Sequence, residues 1–311
     1  MERKHNNQFA LQVIKMMETL KKYHKEILTC TGCAFCKKAC QVYLHTRKEK
    51  DSPKGRIMIS YGLLTGELKE DNSIIEALQK CALCRLCESV CPSMIKITDI
   101  IRAARRDLKS MLPEHERMVQ EIEAWDEPVE GERLLVINSR DEIVDEIAEK
   151  LHAAAWHGGC GAAIERIGRE NRFAEKLIKK IKDAGIKQVI YYEPYCGKYF
   201  EGLNAVNIVD FIESVDADES YAVHIPYDFD DEFVEKVKNL FKGKDVTYIH
   251  ECCGGRRELR EAFPEEAEKM ANDVIQKSNG RKIITTSLEC YEHLKKYGNV
   301  IDLLHVAKFK G

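Results

Sequence analysis

The spacing of cysteines constrains this chain more than any other feature. Residues 30–40 read CTGCAFCKKAC and residues 81–92 read CALCRLCESVCP. Both runs are C-x2-C-x2-C-x3-C, and Pro92 directly follows the last cysteine of the second. A [4Fe–4S] cubane presents four iron corners, each needing a soft thiolate. A loop with cysteine at every third residue wraps three corners, and the fourth cysteine of each run serves the other cubane. The spacing predicts one cluster on Cys30, Cys33, Cys36 and Cys91, and a second on Cys81, Cys84, Cys87 and Cys40. Zinc sites pair C-x2-C knuckles and rarely need so dense a run, so the repeated spacing argues against zinc here.

The rest of the composition fits that reading. The chain has 311 residues, room for about two domains. It is 44% hydrophobic and 32% charged, with a net charge of −3. This gives no basic face for nucleic acid. No apolar run is long enough to predict a transmembrane segment. The N-terminus lacks the apolar core of a signal peptide, so the expected setting is the cytoplasm, free or held peripherally at a membrane through a partner. Thirteen cysteines in such a setting predict metal ligation in preference to a disulfide framework. Near the start, Phe9, Val13, Met17, Leu20 and Ile27 recur at helical intervals and predict an amphipathic helix.

Between the two runs, Ser52-Pro53-Lys54-Gly55 marks a turn, and Ile57, Met58, Tyr61 and Leu64 follow at helical spacing. Ser73, with Glu76 three residues on, predicts a capping box. The cluster loops are therefore expected among helices. These residues carry a resemblance: the first cysteine run with Tyr43, then Ser52-Pro53-Lys54-Gly55-Arg56-Ile57, then the second run with its proline and Arg102-Ala103-Ala104-Arg105. Together they resemble the iron–sulfur subunits of heterodisulfide reductase and glycolate (lactate) oxidase complexes. The resemblance covers residues 1–110 and implies an α-helical ferredoxin domain. Gln41 departs from it, standing where proline often follows the cysteine, but that position is not a ligand.

Residues 111–132 are acidic, carry Pro113 and Pro128, and are expected as a linker before a second domain over 133–311. Beyond 132, short apolar runs alternate with amphipathic stretches. Strands are expected at 134–138, 153–157, 188–192, 206–211, 221–225, 246–250, 282–286 and 299–304, with helices between them. This predicts an α/β domain with a mostly parallel sheet. Landmarks recur at a near-constant offset: His157 to His250 and Cys160 to Cys253 are each 93 residues apart, and Cys196 to Cys290 is 94. Two similar units, about 133–215 and 221–308, follow from this.

The resemblance extends here to paired cysteine-rich domains, each with a Cys-Cys-Gly turn and a later C-x-x-C, which in full form imply a five-cysteine, non-cubane cluster. This chain departs from that pattern. The first unit keeps Cys160 and Cys196. The second keeps Cys252, Cys253 and Cys290, with Tyr227 at the early cysteine position. Three readings stand: a scaffold whose cysteines pack as small apolar groups, a third, modified cluster, or thiol chemistry at Cys252-Cys253 ahead of a helix N-terminus. The cluster's fourth ligand would come from His250, Tyr227, Glu251, Ser287 or His293. Histidines 24, 45, 115, 152, 224 and 305 show no ligand spacing and are read as ordinary surface or core residues. No glycine-rich nucleotide motif is present, so a flavoprotein or similar redox subunit is expected as electron donor or acceptor. The expected function is electron relay through two cubanes within an oxidoreductase complex. The alternatives are a reductase with its own site at Cys252, Cys253 and Cys290, and a docking scaffold.

Overall fold

The computed structural model describes residues 17–217 and 219–310. They form two compact units. The first holds the described residues up to Arg117 together with Ile164–Glu170 and Glu258–Met270. The second holds Met118–Ala163, Asn171–Arg257 and the residues from Ala271 onward.

The first unit is helical. Its main helices are Pro53–Thr65, Asn72–Gln79 and Ile97–Asp107. Ser52 starts the first of these: its hydroxyl accepts the Gly55 N–H at 2.9 Å, and Pro53 supplies a pre-set φ in the first turn. A Cβ on Gly55 would lie 2.0 Å from the Glu49 carbonyl oxygen, so only glycine lets this turn pass the preceding segment. Asp71, and not Ser73, caps the next helix by accepting the Ile74 N–H. The core between these helices is aliphatic, with Leu20, Ile57, Leu63, Leu78, Ile97 and Ile100 buried. The expected N-terminal helix is in two pieces over the described part, Glu18–Lys21 and His24–Leu28. Met17, Leu20 and Ile27 are buried as the periodicity predicts, while Phe9 and Val13 lie outside the described residues. The stretch expected as a linker contains a helix, Pro113–Glu123.

The second unit bears out the α/β expectation and its duplication. Strands β1 (Arg133–Val136), β2 (Ala154–Trp156), β3 (Gln188–Tyr191) and β4 (Ala205–Asn207) form a parallel sheet in the order β2-β1-β3-β4. After β5 (Ile212–Val215), strands β6 (Tyr221–His224), β7 (Val246–Ile249), β8 (Lys282–Thr285) and β9 (Val300–Asp302) repeat it as β7-β6-β8-β9. The runs 206–211 and 299–304, expected as strands or strand ends, hold strands that stop at Asn207 and Asp302. At both points the side chain accepts the N–H two residues on and turns the chain into a 3-10 helix. The final segments, β5 and β10 (Ala307–Phe309), pair antiparallel with each other. That pairing had no signal in the sequence.

Candidate functional site

The two N-terminal cysteine runs fold alike. In each, the residue before the second cysteine and the residue after it have positive φ: Gly32 and Ala34 at 71° and 66°, Leu83 and Arg85 at 52° and 65°. A one-turn helix follows in both, Phe35–Lys38 and Leu86–Ser89. Positive φ at a bulky residue such as Leu83 is costly, about 1–3 kcal/mol, and persists where a site demands the loop shape.

These loops bring together cysteines from both runs. Cys30, Cys33 and Cys91 lie near enough to Cys36 to raise its thiol pKa, adding to the larger effect of burial. Cys40, Cys81, Cys84 and Cys87 line one cavity. Burial pushes Cys40 up to about 11, and the Cys81 and Cys84 thiols add to it against the pull of Arg56. Cys87 is driven higher still by burial and by Cys84, Cys81 and Cys40. Each four-cysteine group thus takes three members from one run and one from the other.

Backbone N–H groups point at the sulfurs: Lys54 toward Cys36, Tyr43 toward Cys40, and Leu83 toward Cys81 at 3.4 Å. Two arginines that sequence reasoning gave no role sit behind the loops. Arg56 is fully buried, donates from Nε to the Ala77 carbonyl at 2.6 Å, and places Nη1 4.0 Å from the Cys40 sulfur. Its Nη2 is buried with no hydrogen-bond partner among the described residues, and Arg56 lines the four-cysteine cavity. An orphaned cationic donor beside four thiols fits an anionic cluster bound there. Arg105, also fully buried, donates to the carbonyls of Leu78, Gln79, Cys81 and Arg166, and so fixes the entry to the second run. Desolvation lowers its pKa to about 10, which still leaves it charged at neutral pH. Both arginines lie in quoted motifs, but only their burial reveals these roles.

In the second unit, Cys160 and Cys196 are joined in a disulfide. This corrects the expectation that the cysteines would stay out of disulfides. The candidate triad Cys252, Cys253 and Cys290 is brought together only in part. Cys253 and Cys290 are buried with His224, their donor atoms within 4.8 Å of one another, whereas half-buried Cys252 is not in this group. His224, read from the sequence as an ordinary surface or core residue, is a core histidine placed beside these two thiols. It is fully buried at the end of β6, and its sequence position carried no ligand spacing to mark it. Its Nε2 lies 3.0 Å from the Glu251 carbonyl and its Nδ1 3.0 Å from the Thr285 hydroxyl. A carbonyl only accepts, so Nε2 carries the proton, and the Nδ1 lone pair accepts from Thr285. Desolvation lowers the His224 pKa to about 4, so the ring is neutral.

Of the residues expected to offer a fourth ligand, His250, Glu251 and His293 lie outside this group, whereas the Ser287 hydroxyl hydrogen-bonds to the Cys290 thiol. His250 stacks on Tyr248, and His293 meets Tyr297 edge-on. Glu251 pairs with Lys277, and Tyr227 is half-buried. Ser287 caps its helix by accepting the Cys290 N–H and bonds to Glu193 Oε1 at 2.9 Å. The helix expected to activate Cys252-Cys253 begins only at Arg257 and is six residues long. The Cys290 thiol is pushed well above its ordinary value by hydrogen bonding to Cys253 and by burial.

A helical frame holding two interleaved four-cysteine loops is the architecture of a dicluster iron–sulfur domain, and residues 26–95 match the family described as "4Fe-4S dicluster domain". Over 81 residues the chain is 36% identical to the "Probable glycolate oxidase iron-sulfur subunit" of Bacillus subtilis, covering 26% of this chain and 18% of that one. Over 92 residues it is 34% identical to the "Glycolate oxidase iron-sulfur subunit" of Escherichia coli, covering 27% and 22%. The chain is a distant relative of these subunits and spans about a fifth of the length of each. No solved structure gives a significant match. No helix among the described residues is long and apolar enough to cross a membrane.

Proposed function

We propose that this chain is an electron-transfer iron–sulfur subunit of a cytoplasmic oxidoreductase complex of the heterodisulfide-reductase type. It holds one [4Fe–4S] cubane on Cys30, Cys33, Cys36 and Cys91 and another on Cys81, Cys84, Cys87 and Cys40. The observation that carries the reading is the crossed grouping, three sulfurs from one run and one from the other in each set. Bound cubanes supply one-electron relays. The chain's own part is to hold eight sulfurs, aim the amides of Lys54, Tyr43 and Leu83 at three of them, and set Arg56 beside Cys40. Amide and cationic donors at thiolate sulfur stabilise the more negative, reduced cluster and so raise its potential.

The first set lies nearest solvent, with Cys33 exposed. Exposed Leu28, Phe35, Val90 and Met94 flank its cysteines along the chain. That edge suits electron exchange with a flavoprotein or similar subunit. A thiol-based active site at Cys252, Cys253 and Cys290 is less well supported, because Cys253 and Cys290 are buried and a protonated Cys290 is a poor nucleophile. The test is anaerobic reconstitution. About eight irons per chain are expected, four for each cubane, falling to about four in Cys81→Ser with one reduced-state EPR signal kept. Iron and both signals unchanged in Cys81→Ser would sink the assignment.

A further inference from the structure

We infer that His224, Cys253 and Cys290 bind a single thiophilic divalent ion of the zinc type, and that this part of the chain does not hold an iron–sulfur cluster. Two thiols and one imidazole, buried with donor atoms within 4.8 Å of one another, are the soft, compact donor set that a tetrahedral ion takes. They leave its fourth position for water or a small ligand. A [4Fe–4S] cubane is held by four thiolates and even a two-iron centre with histidine ligands takes four side chains, whereas this group offers three, with Cys252 outside it.

The duplicated sheets provide an internal comparison. Val136 pairs with Trp156 and Tyr191 across its sheet as His224 pairs with Ile249 and Thr285 across the other. The position of His224 is thus valine in the first copy, and there the matching cysteines, Cys160 and Cys196, are closed as a disulfide. The copy that gains an imidazole is the copy whose two thiols stay free.

Local structure supports binding. The Nε2–H bond to the Glu251 carbonyl is the outer support that metal-binding histidines use, and it leaves the Nδ1 lone pair for the ion in place of the Thr285 hydroxyl. A Cβ on Gly255 would lie 2.9 Å from the Glu289 carbonyl and 3.1 Å from both the Cys253 sulfur and Cys290 Cα, so glycine lets the turn close on the helix Leu288–Leu294. Ile249, Ile283 and Val300 belong to the same buried cluster as the two thiols, so the sulfurs sit in largely apolar surroundings. Binding involves no electron transfer: the two thiol protons leave to solvent as the ion enters.

The test loads the reconstituted full chain with zinc, removes excess, and measures metal content and zinc-edge X-ray absorption. About one zinc per chain is expected, with sulfur neighbours near about 2.3 Å and nitrogen near about 2.0 Å. Cys253→Ser and Cys290→Ser should each lose it. His224→Gln should weaken zinc affinity by roughly tenfold or more. Cys252→Ser should change nothing. Iron content reports the cubanes of the first unit separately, so failure here is distinct from failure of the two-cubane reading, and a cooperative urea unfolding transition in each variant shows that the second unit is folded. The inference is overturned by absence of zinc, by zinc that survives both cysteine variants, by dependence on Cys252, or by iron above eight that needs Cys253 and Cys290. A Cys253–Cys290 disulfide in freshly purified, alkylated protein overturns it as well.

Discussion

On the proposed assignment, Arg56 is a side chain that tunes a cluster it does not ligate. Its guanidinium contacts the Cys40 sulfur from a fully buried position. Arg56→Gln removes the charge and should lower the potential of the cluster held with Cys81, Cys84 and Cys87. A charge-assisted contact of about 1.5 kcal/mol corresponds to roughly 60 mV for one electron. A redox titration followed by EPR should show that drop in one cluster and not in the other. Asp302 yields a prediction about pH. Burial raises its pKa to about 8, while its oxygens accept the Leu304 N–H and meet the Tyr192 hydroxyl. Between the ordinary carboxyl range near about 4 and about 8, the folded chain keeps a proton that the unfolded chain has released, so stability falls as pH rises through that window. Asp302→Asn should flatten this fall in urea unfolding curves; an unchanged slope would mean Asp302 is already ionised in the fold. The eight N-terminal cysteines were legible because a ligand spacing survives in the linear chain. His224 was not, because its neighbours come from β8, the turn after β7 and the helix Leu288–Leu294.

At the scale of elements, the segments after the two cysteine-glycine turns matter beyond their own sheets. Arg166 and Glu258, both buried in the first unit, form a bidentate pair at 2.6 and 3.0 Å. The Glu258 carbonyl also receives buried His115 at 2.9 Å. Arg166→Ala leaves a buried carboxylate without its partner and should cost about 3–5 kcal/mol of stability, measurable by chemical denaturation. A loss below about 1 kcal/mol would show that water compensates Glu258. Element positions were readable from periodicity, since all eight expected strands are present. Their ends were not, because short side-chain caps at Asn207 and Asp302 override the apolar run. Asp71 and not Ser73 is the cap for a similarly local reason: Asp71 accepts the Ile74 N–H, while the Ser73 hydroxyl accepts from Lys50 Nζ.

Across the whole chain, the duplication places equivalent residues of the two copies against each other. Glu193 and Ser287, at the same position in the two copies, bond to each other at 2.9 Å. Tyr195 bonds Glu289 at 2.8 Å, again between equivalent positions, and the matching end strands β5 and β10 pair antiparallel. The two copies therefore meet within the second unit through equivalent residues and end strands, which no spacing rule could disclose. The offset of landmarks revealed the repeat; the face joining its copies needed three dimensions. The central claim concerns the other end of the chain, and crossed substitution tests it most directly. Reduced-state EPR and iron content are compared for Cys40→Ser, Cys30→Ser and Cys81→Ser. The account predicts that Cys40→Ser keeps about four irons and gives the same residual spectrum as Cys81→Ser, because each removes a ligand of the same cubane. A residual spectrum matching Cys30→Ser would contradict it.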